Sequence, residues 1–247
     1  MVKISYYDLD RYGRLKFSAL LRMVHIAADE NASELGIGYA QLAPLGISFV
    51  LQRFSAAATR LPVYGEEVAV RTWPAAVARG LFTRKGEMRD THNEKIMEWA
   101  SLWLLFDLNA RKILKPTALP VTDTATLLQG DQGAAIEPEK IIIADFDTTP
   151  APHFAYPHTV RYADTDTNAH MNNAIYGDLV GNATFANLPN PAPWTRLDIN
   201  YQAEARPADI IQVNAWQAGN KTLVMGESAA RTVFTARVEQ AVGRSKD

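Results

Sequence analysis

The densest run of residues able to do chemistry is Asp164-Thr165-Asp166-Thr167-Asn168-Ala169-His170-Met171-Asn172-Asn173. It combines carboxylates, amides and an imidazole that titrates near neutrality. Three uses compete for it. Asp164, Asp166 and His170 are three hard ligands in one short loop, but no second His or carboxylate cluster completes a metal site, so no metal is expected. A turn rich in Asp and Asn, capping a following helix, accounts for Asp164, Asn172 and Asn173. It does not account for His170, because histidine is neither a favoured turn residue nor a favoured cap. The third use, a chemical role for His170, stays open at this point.

Other chemistries lack their parts. The chain has no cysteine, which excludes a thiolate nucleophile, a thiolate metal site and a disulfide scaffold. Ser48 and Ser228 both lack the second glycine of a nucleophile elbow. Gly36 and Gly38 have no third glycine to complete a dinucleotide fingerprint, and no phosphate loop is present, so no cofactor is expected. His153 and His158 stand five apart without further ligands and read as surface or packing residues.

The elements around the cluster recur. Tyr6-Tyr7-Asp8-Leu9-Asp10 and Tyr162-Ala163-Asp164-Thr165-Asp166 share Y-x-D-x-D at one offset, since 164 − 8 = 156 and 166 − 10 = 156. After the first copy, Phe17, Leu20, Leu21, Val24, Ala28, Ala32 and Leu35 recur at helical spacing, with Gly36 as a stop. After the second, Ile175, Leu179 and Val180 begin a similar stripe, with Asn172 or Asn173 as cap. Strand-like runs follow both: Ile47–Ala58, Glu67–Ala78, Leu81–Arg89 and Lys95–Leu108, then Thr195–Ala203, Asp209–Ala218, Thr222–Arg231 and Val233–Val238. Gly219 and Asn220 suit a hairpin turn. Each half therefore reads as a lead strand, one long helix and an antiparallel sheet, an α+β layered unit. The expected division is a first lobe at 1–118, a connector at 119–152 with a short strand at Ile141–Ile143, and a second lobe at 153–247 that carries the cluster. Where the second copy has Asn168 and His170, the first has Tyr12 and Arg14. Shared Tyr and Asp suit a scaffold, and unshared Asn and His suit a function of one half.

The string from Val160 to Tyr176, with its D-x-N-x-H core at Asp166, Asn168 and His170, paired asparagines and a tyrosine, resembles the active-site segment of the acyl-acyl-carrier-protein (acyl-ACP) thioesterase family. Tyr201-Gln202-Ala203-Glu204 resembles its Y-x-x-E segment, whose glutamate joins the site. In the first half Leu51-Gln52-Arg53, Pro62–Val68, Arg79–Arg89 and Trp99–Trp103 are similar as well. The resemblance implies a double hotdog, two lobes each with a long helix wrapped by an antiparallel sheet. It implies hydrolysis of fatty acyl-ACP thioesters, which ends elongation. Plant members often carry cysteine after the glutamate. Ala205 stands there in this chain, and the bacterial type is the expected match.

On that resemblance, water is the nucleophile and Glu204, desolvated and raised in pKa, is its base. His170 and Asn168 orient the water or the carbonyl, Asp166 orients them, and helix-start N–H groups meet the oxyanion. Asn172 and Asn173 are candidates for substrate contact. Leu20, Val24 and Ile26, or the sheet facing them, are candidates for the acyl channel. An acidic carrier calls for a basic surface, and Arg84, Lys85 and Arg89 are its candidates, with Arg79, Arg111, Lys112 and Lys115 nearby. Alternatives are a hotdog thioesterase acting on coenzyme A esters, a noncatalytic acyl-binding hotdog protein, and a hotdog dehydratase.

Bulk properties agree with an ordinary globular protein. The net charge is −2 over 247 residues, with 47% hydrophobic residues, and the sequence pI of about 6.2 gives no sign of nucleic-acid binding. No apolar run reaches the ~20 residues of a membrane span, and the first residues lack a signal-peptide core. A cytoplasmic protein without membrane insertion is expected, with a homodimer left open.

Overall fold

The computed structural model describes residues 1–121, 127–128, 135–186 and 188–242. Among them, eleven strands form one sheet. The first half contributes β1 (Val2–Lys3), β2 (Ile47–Ala58), β3 (Glu67–Ala78), β4 (Leu81–Arg89), β5 (Lys95–Asp107) and β6 (Lys112–Leu114). The second contributes β7 (Phe154–Thr159), β8 (Trp194–Tyr201), β9 (Ile210–Ala218), β10 (Lys221–Ser228) and β11 (Arg231–Gln240). The order across the sheet is β1-β3-β4-β5-β2-β8-β11-β10-β9-β7, with β6 paired to β5. Read outward from the centre, the two halves run through their strands in the same sequence. They meet where β2 pairs antiparallel with β8, from Arg53↔Asn200 to Ala57↔Arg196.

Three strand limits coincide with those read from the sequence, and the other five differ by one to three residues at an end. The hairpin turn falls at Gly219 and Asn220, where only Gly219 takes a positive φ, +61°. The run Ile141–Ile143 is not a strand. The Ile141 N–H goes instead to the Asn200 side chain, at 3.0 Å. Residues 139–141 are thereby fastened across the β2–β8 seam, because Glu139 N–H also donates to Ser55 Oγ and its carbonyl accepts from Asn200 Nδ2.

Helix α1 (Phe17–Glu34) buries Phe17, Leu20, Leu21, Val24 and Ala28 on the stripe that the spacing predicts. Gly36 ends it at φ +75°, a conformation costly to any residue with a Cβ. A short helix, α2 (Tyr39–Leu42), follows. Helix α3 (Asn173–Phe185) starts at Asn172, whose Oδ1 accepts the Ala174 N–H at 2.9 Å. Both long helices lie against the sheet and against each other, and Gly177 is where their backbones come closest. A Cβ there would stand 2.7 Å from Ser18 N and 2.9 Å from Phe17 C. Gly177→Ala is therefore expected to destabilise by about 1–3 kcal/mol through overpacking. Gly181→Ala, whose Cβ would meet only Phe17 Cδ2 at 3.8 Å, is expected to be neutral or stabilising through helix propensity. Urea unfolding of the two variants checks this, and equal effects would remove the close approach as the cause.

Candidate active site

The two Y-x-D-x-D segments build the same turn. Asp10 N–H donates to Arg14 O (2.8 Å), Gly13 N–H to Asp10 O (2.9 Å) and Tyr12 N–H to Asp10 Oδ1 (2.8 Å). At the offset of 156, Asp166 N–H donates to His170 O (3.0 Å), Ala169 N–H to Asp166 O (3.0 Å) and Asn168 N–H to Asp166 Oδ1 (2.8 Å). Asp10 and Asp166 thus hold equivalent turns. Among the described residues Asp166 bonds to the backbone of Asn168 and His170 and not to their side chains, which is where the expectation had it act. Ala169 holds φ +58° where the first lobe uses Gly13 at +73°. Left-handed backbone costs a residue with a Cβ about 1–2 kcal/mol, so this turn is kept at some expense.

The side chains after these aspartates diverge. Arg14 turns inward, pairing with Asp10 at 2.7 Å and donating to Pro191 O at 2.7 Å. It locks the first-lobe turn. His170 turns instead toward the segment after β8, where its Nε2 lies 3.1 Å from Glu204 Oε2. A backbone bond from Met171 N–H to Ala205 O, 2.8 Å, fixes the two segments side by side. The structure thus brings His170 and Glu204 together. Asn168 lies on the exposed rim of the same loop, and its side-chain amide makes no hydrogen bond among the described residues.

Glu204 differs from the expectation. Its side chain is 38% exposed and meets two arginines, Arg111 at 3.1 Å and Arg206 at 3.2 Å. Partial burial pushes its carboxyl up, but His170, Arg111 and Arg206 outweigh that and hold it below the ordinary carboxylate range. Glu204 is a fully ionised carboxylate at neutral pH. Arg111 comes from the first half, at φ +51° in the turn between β5 and β6. No local pattern links it to a glutamate 93 positions away.

Other expected roles move. Ala174 N–H is taken by the Asn172 cap, so part of the helix start proposed for the oxyanion is already used. This cap gives Asn172 a structural task, while Asn173 is the first residue of α3. His158 pairs with Asp164 at 3.1 Å, bracing the strand that leads into the turn. Arg84 and Lys85 are 9% and 8% exposed, so they offer no charge to a docking protein. Arg84 donates to Asn31 Oδ1 on α1, and Lys85 pairs with Glu137 on the connector. β4 is covered on both faces, by α1 and by the connector, which buries these adjacent residues alike. Arg89 is bound to Glu87 at 2.6 Å and to Asn93 O. Burial thus removes Arg84 and Lys85 from any carrier-docking surface, while Arg89 is ion-paired and partly exposed.

Of the acyl-channel candidates, those named on α1 line no pocket among the described residues, while the sheet facing α1 does. Leu20 and Val24 are sealed in the core, and Ile26 is 60% exposed. A pocket of about 210 Å³ opens instead between α1, α2 and the first-half sheet, lined by Ala28, Ile37, Leu42, Phe49, Val77 and Phe82 among others. Its Ile47–Phe49 side begins next to the β5–β6 turn, since Ile47 pairs with Asp107 and Leu108 N–H bonds Gly46 O. From that turn Arg111 reaches Glu204.

Two helix-and-sheet lobes joined through one continuous sheet define an α+β double-hotdog protein. Comparison with known proteins makes the assignment narrower. Residues 1–118 match the acyl-ACP thioesterase N-terminal domain, and residues 150–237 match the acyl-ACP thioesterase C-terminal domain. The chain belongs to the acyl-ACP thioesterase family. It is similar to the chloroplastic palmitoyl-acyl carrier protein thioesterase of Gossypium hirsutum, at 24% identity over 151 residues, 59% of this chain. That match spans 36% of the cotton protein's length. Among solved structures, an acyl-ACP thioesterase from Bacteroides thetaiotaomicron superposes with a TM-score of 0.84 at 23% identity, covering 97% of this chain and 96% of its own. The 12:0-ACP thioesterase from Umbellularia californica gives 0.82 at 19% identity, covering 96% and 94%. Plant and bacterial proteins match alike, so the comparisons do not single out a bacterial type.

Proposed function

We propose that this chain hydrolyses fatty acyl thioesters carried on an acyl carrier protein, releasing the free fatty acid and the carrier thiol and so ending elongation. The observation that carries this reading is the His170–Glu204 contact, which only the second-half copy of the turn makes. Glu204 takes a proton from water as the oxygen attacks the thioester carbon. His170, in contact with the same carboxylate, orients the water, takes the proton from Glu204 across that contact and delivers it to the departing thiolate. The unbonded amide of Asn168 donates to the carbonyl oxygen as it gains negative charge. Asp166 holds the turn that presents both residues. The lobes divide the work: residues 153–247 supply the catalysts, and the pocket within 1–118 takes the acyl chain. One chain supplies both lobes, so catalysis needs no homodimer. Among the described residues no helix is long and apolar enough to cross a membrane. The proposed setting is the cytoplasm, where acyl carrier protein delivers the chain.

Exposed basic residues at the site include Arg206, Arg231 and the turn residue Arg111, with Lys112 on β6 and Lys115 just beyond it. They replace Arg84 and Lys85 as the surface that meets an acidic carrier. The deciding assay compares hydrolysis of matched acyl-ACP and acyl-coenzyme A esters over a panel of chain lengths. A preference for the carrier protein that weakens with salt supports the reading. Faster, salt-independent hydrolysis of the coenzyme A esters would transfer it to that substrate class.

The arginines also set a pH dependence. Glu204 works as a base only when ionised, so activity falls as pH drops through its pKa. Its cations hold that pKa down, and the acid limb of kcat/KM therefore lies low. Arg111→Leu removes one of them and is expected to move the limb to higher pH. A pH profile checks this, and an unmoved limb would take Glu204 out of the base role.

A further inference from the structure

Of the polar groups that line the first-half pocket, Arg84 and His25 have hydrogen-bonding capacity left unspent by the described residues. A guanidinium carries five N–H donors, and that of Arg84 spends one on Asn31 Oδ1 at 2.7 Å. No carboxylate pairs with it among the described residues. Asp29, on the exposed rim of the pocket, accepts the Tyr39 N–H instead. A buried charge ordinarily carries its partner with it, because desolvating it alone is costly. Here burial draws Arg84 down to about 10. His25, on α1, lines the same pocket. Its Nε2 is buried with no hydrogen-bond partner, and burial draws the ring down to about 4, so it is neutral. A few placed polar groups in an otherwise apolar pocket are what gives such pockets orientation and specificity.

Their depth is readable from the sheet. Arg84 pairs in register with Ser101 on β5, and β5 ends at Asp107, beside the turn that reaches Glu204. The separation is 107 − 101 = 6 residues, or about 20 Å of strand. A chain whose thioester lies at Glu204 would meet these groups toward its far end.

We propose, on the thioesterase reading above, that Arg84 and His25 make this pocket selective for acyl chains bearing a hydrogen-bond-accepting oxygen, hydroxyl or oxo, toward the far end. Arg84 donates to that oxygen through the N–H groups Asn31 leaves free, and His25 Nε2 supplies the second contact. Asn31 holds the guanidinium in place between substrates.

The test compares ω-hydroxyacyl and plain acyl thioesters of matched length, stepped through a series so that the oxygen samples different depths. Binding of the corresponding free acids is followed by calorimetry. At the matching length the wild type is expected to favour the ω-hydroxy chain. In Arg84→Met the ratio of ω-hydroxy to plain kcat/KM is expected to fall by roughly 10- to 100-fold, the range for a hydrogen bond to a charged group. The double change Arg84→Met with Asn31→Leu removes both partners together and covers the case in which a lone Asn31 disturbs folding. A wild type that prefers plain chains at every length, or a ratio unchanged in both variants, would overturn the proposal. Absence of hydrolysis with every thioester would overturn the thioesterase reading instead. Calorimetric preference for the ω-hydroxy acid, and its loss in the variants, would still report on the pocket.

Discussion

Glu204→Gln and His170→Asn are expected to lower kcat by roughly 10²–10⁴-fold, the range for losing a general acid–base group. The amide of glutamine matches the carboxylate in size and can still meet Arg111 and Arg206 through its oxygen, but it takes no proton. Asparagine at 170 can keep a donor near Glu204 but cannot pass a proton on. Both positions are partly exposed, so unfolding should not confuse the result. Circular dichroism would confirm that the variants fold. The matched control is Tyr12→Asn, at the first-half position corresponding to Asn168. Tyr12 donates to Leu188 O and Pro189 O and touches neither His170 nor Glu204, and its loss should cost stability rather than turnover. Folded Glu204→Gln and His170→Asn proteins with near-wild-type rates would leave the second-half cluster as a helix cap and nothing more.

The largest expected effect on stability belongs to a residue far from this chemistry. Asp198 lies fully buried on β8. Arg237 reaches it from β11 at 2.7 Å, and Arg196 from its own strand at 3.0 Å. Glu139 of the connector closes the group, 2.7 Å from Arg237 and 2.9 Å from Arg196. Breaking a buried ion pair by removing one partner costs about 3–5 kcal/mol, because the other charge stays buried without compensation. Arg237→Leu is expected near the lower end, about 3 kcal/mol, since Arg196 still faces Asp198. Glu139→Gln, at a half-exposed site, should cost about 1 kcal/mol or less. Chemical denaturation separates the two, and similar small losses would show that Arg196 alone compensates Asp198.

Much of this architecture was legible in the chain. Alternating and bounded apolar runs gave β2, β3 and β4 their limits, and the three-and-four spacing from Phe17 gave α1 its buried face. The repeated Y-x-D-x-D mattered more, because the aspartates fix backbone turns through local hydrogen bonds, which survive as sequence pattern. Local patterns do not record what covers a strand. Adjacent Arg84 and Lys85 point to opposite faces, so surface charge on at least one side was the natural expectation. Only the connector crossing behind β4, with α1 in front, buries both. The same limit applies to Glu204. The family resemblance implied a desolvated base with a raised pKa, whereas His170, the distant Arg111 and Arg206 hold that carboxyl down. His25 and Arg84 came from separate elements and drew no attention as a pair.

The β2–β8 seam has a consequence for any attempt to divide the protein. An exposed strand edge is a row of unspent N–H and C=O groups, a template for pairing with whatever chain arrives. Each lobe covers that edge for its neighbour, and Glu139 and Ile141 strap the join from behind. Half-proteins cut between the lobes would therefore carry fresh adhesive margins. They would pair with one another or with copies of themselves before they behaved as independent units. The second half holds His170 and Glu204, but the first half covers the open edge of its sheet.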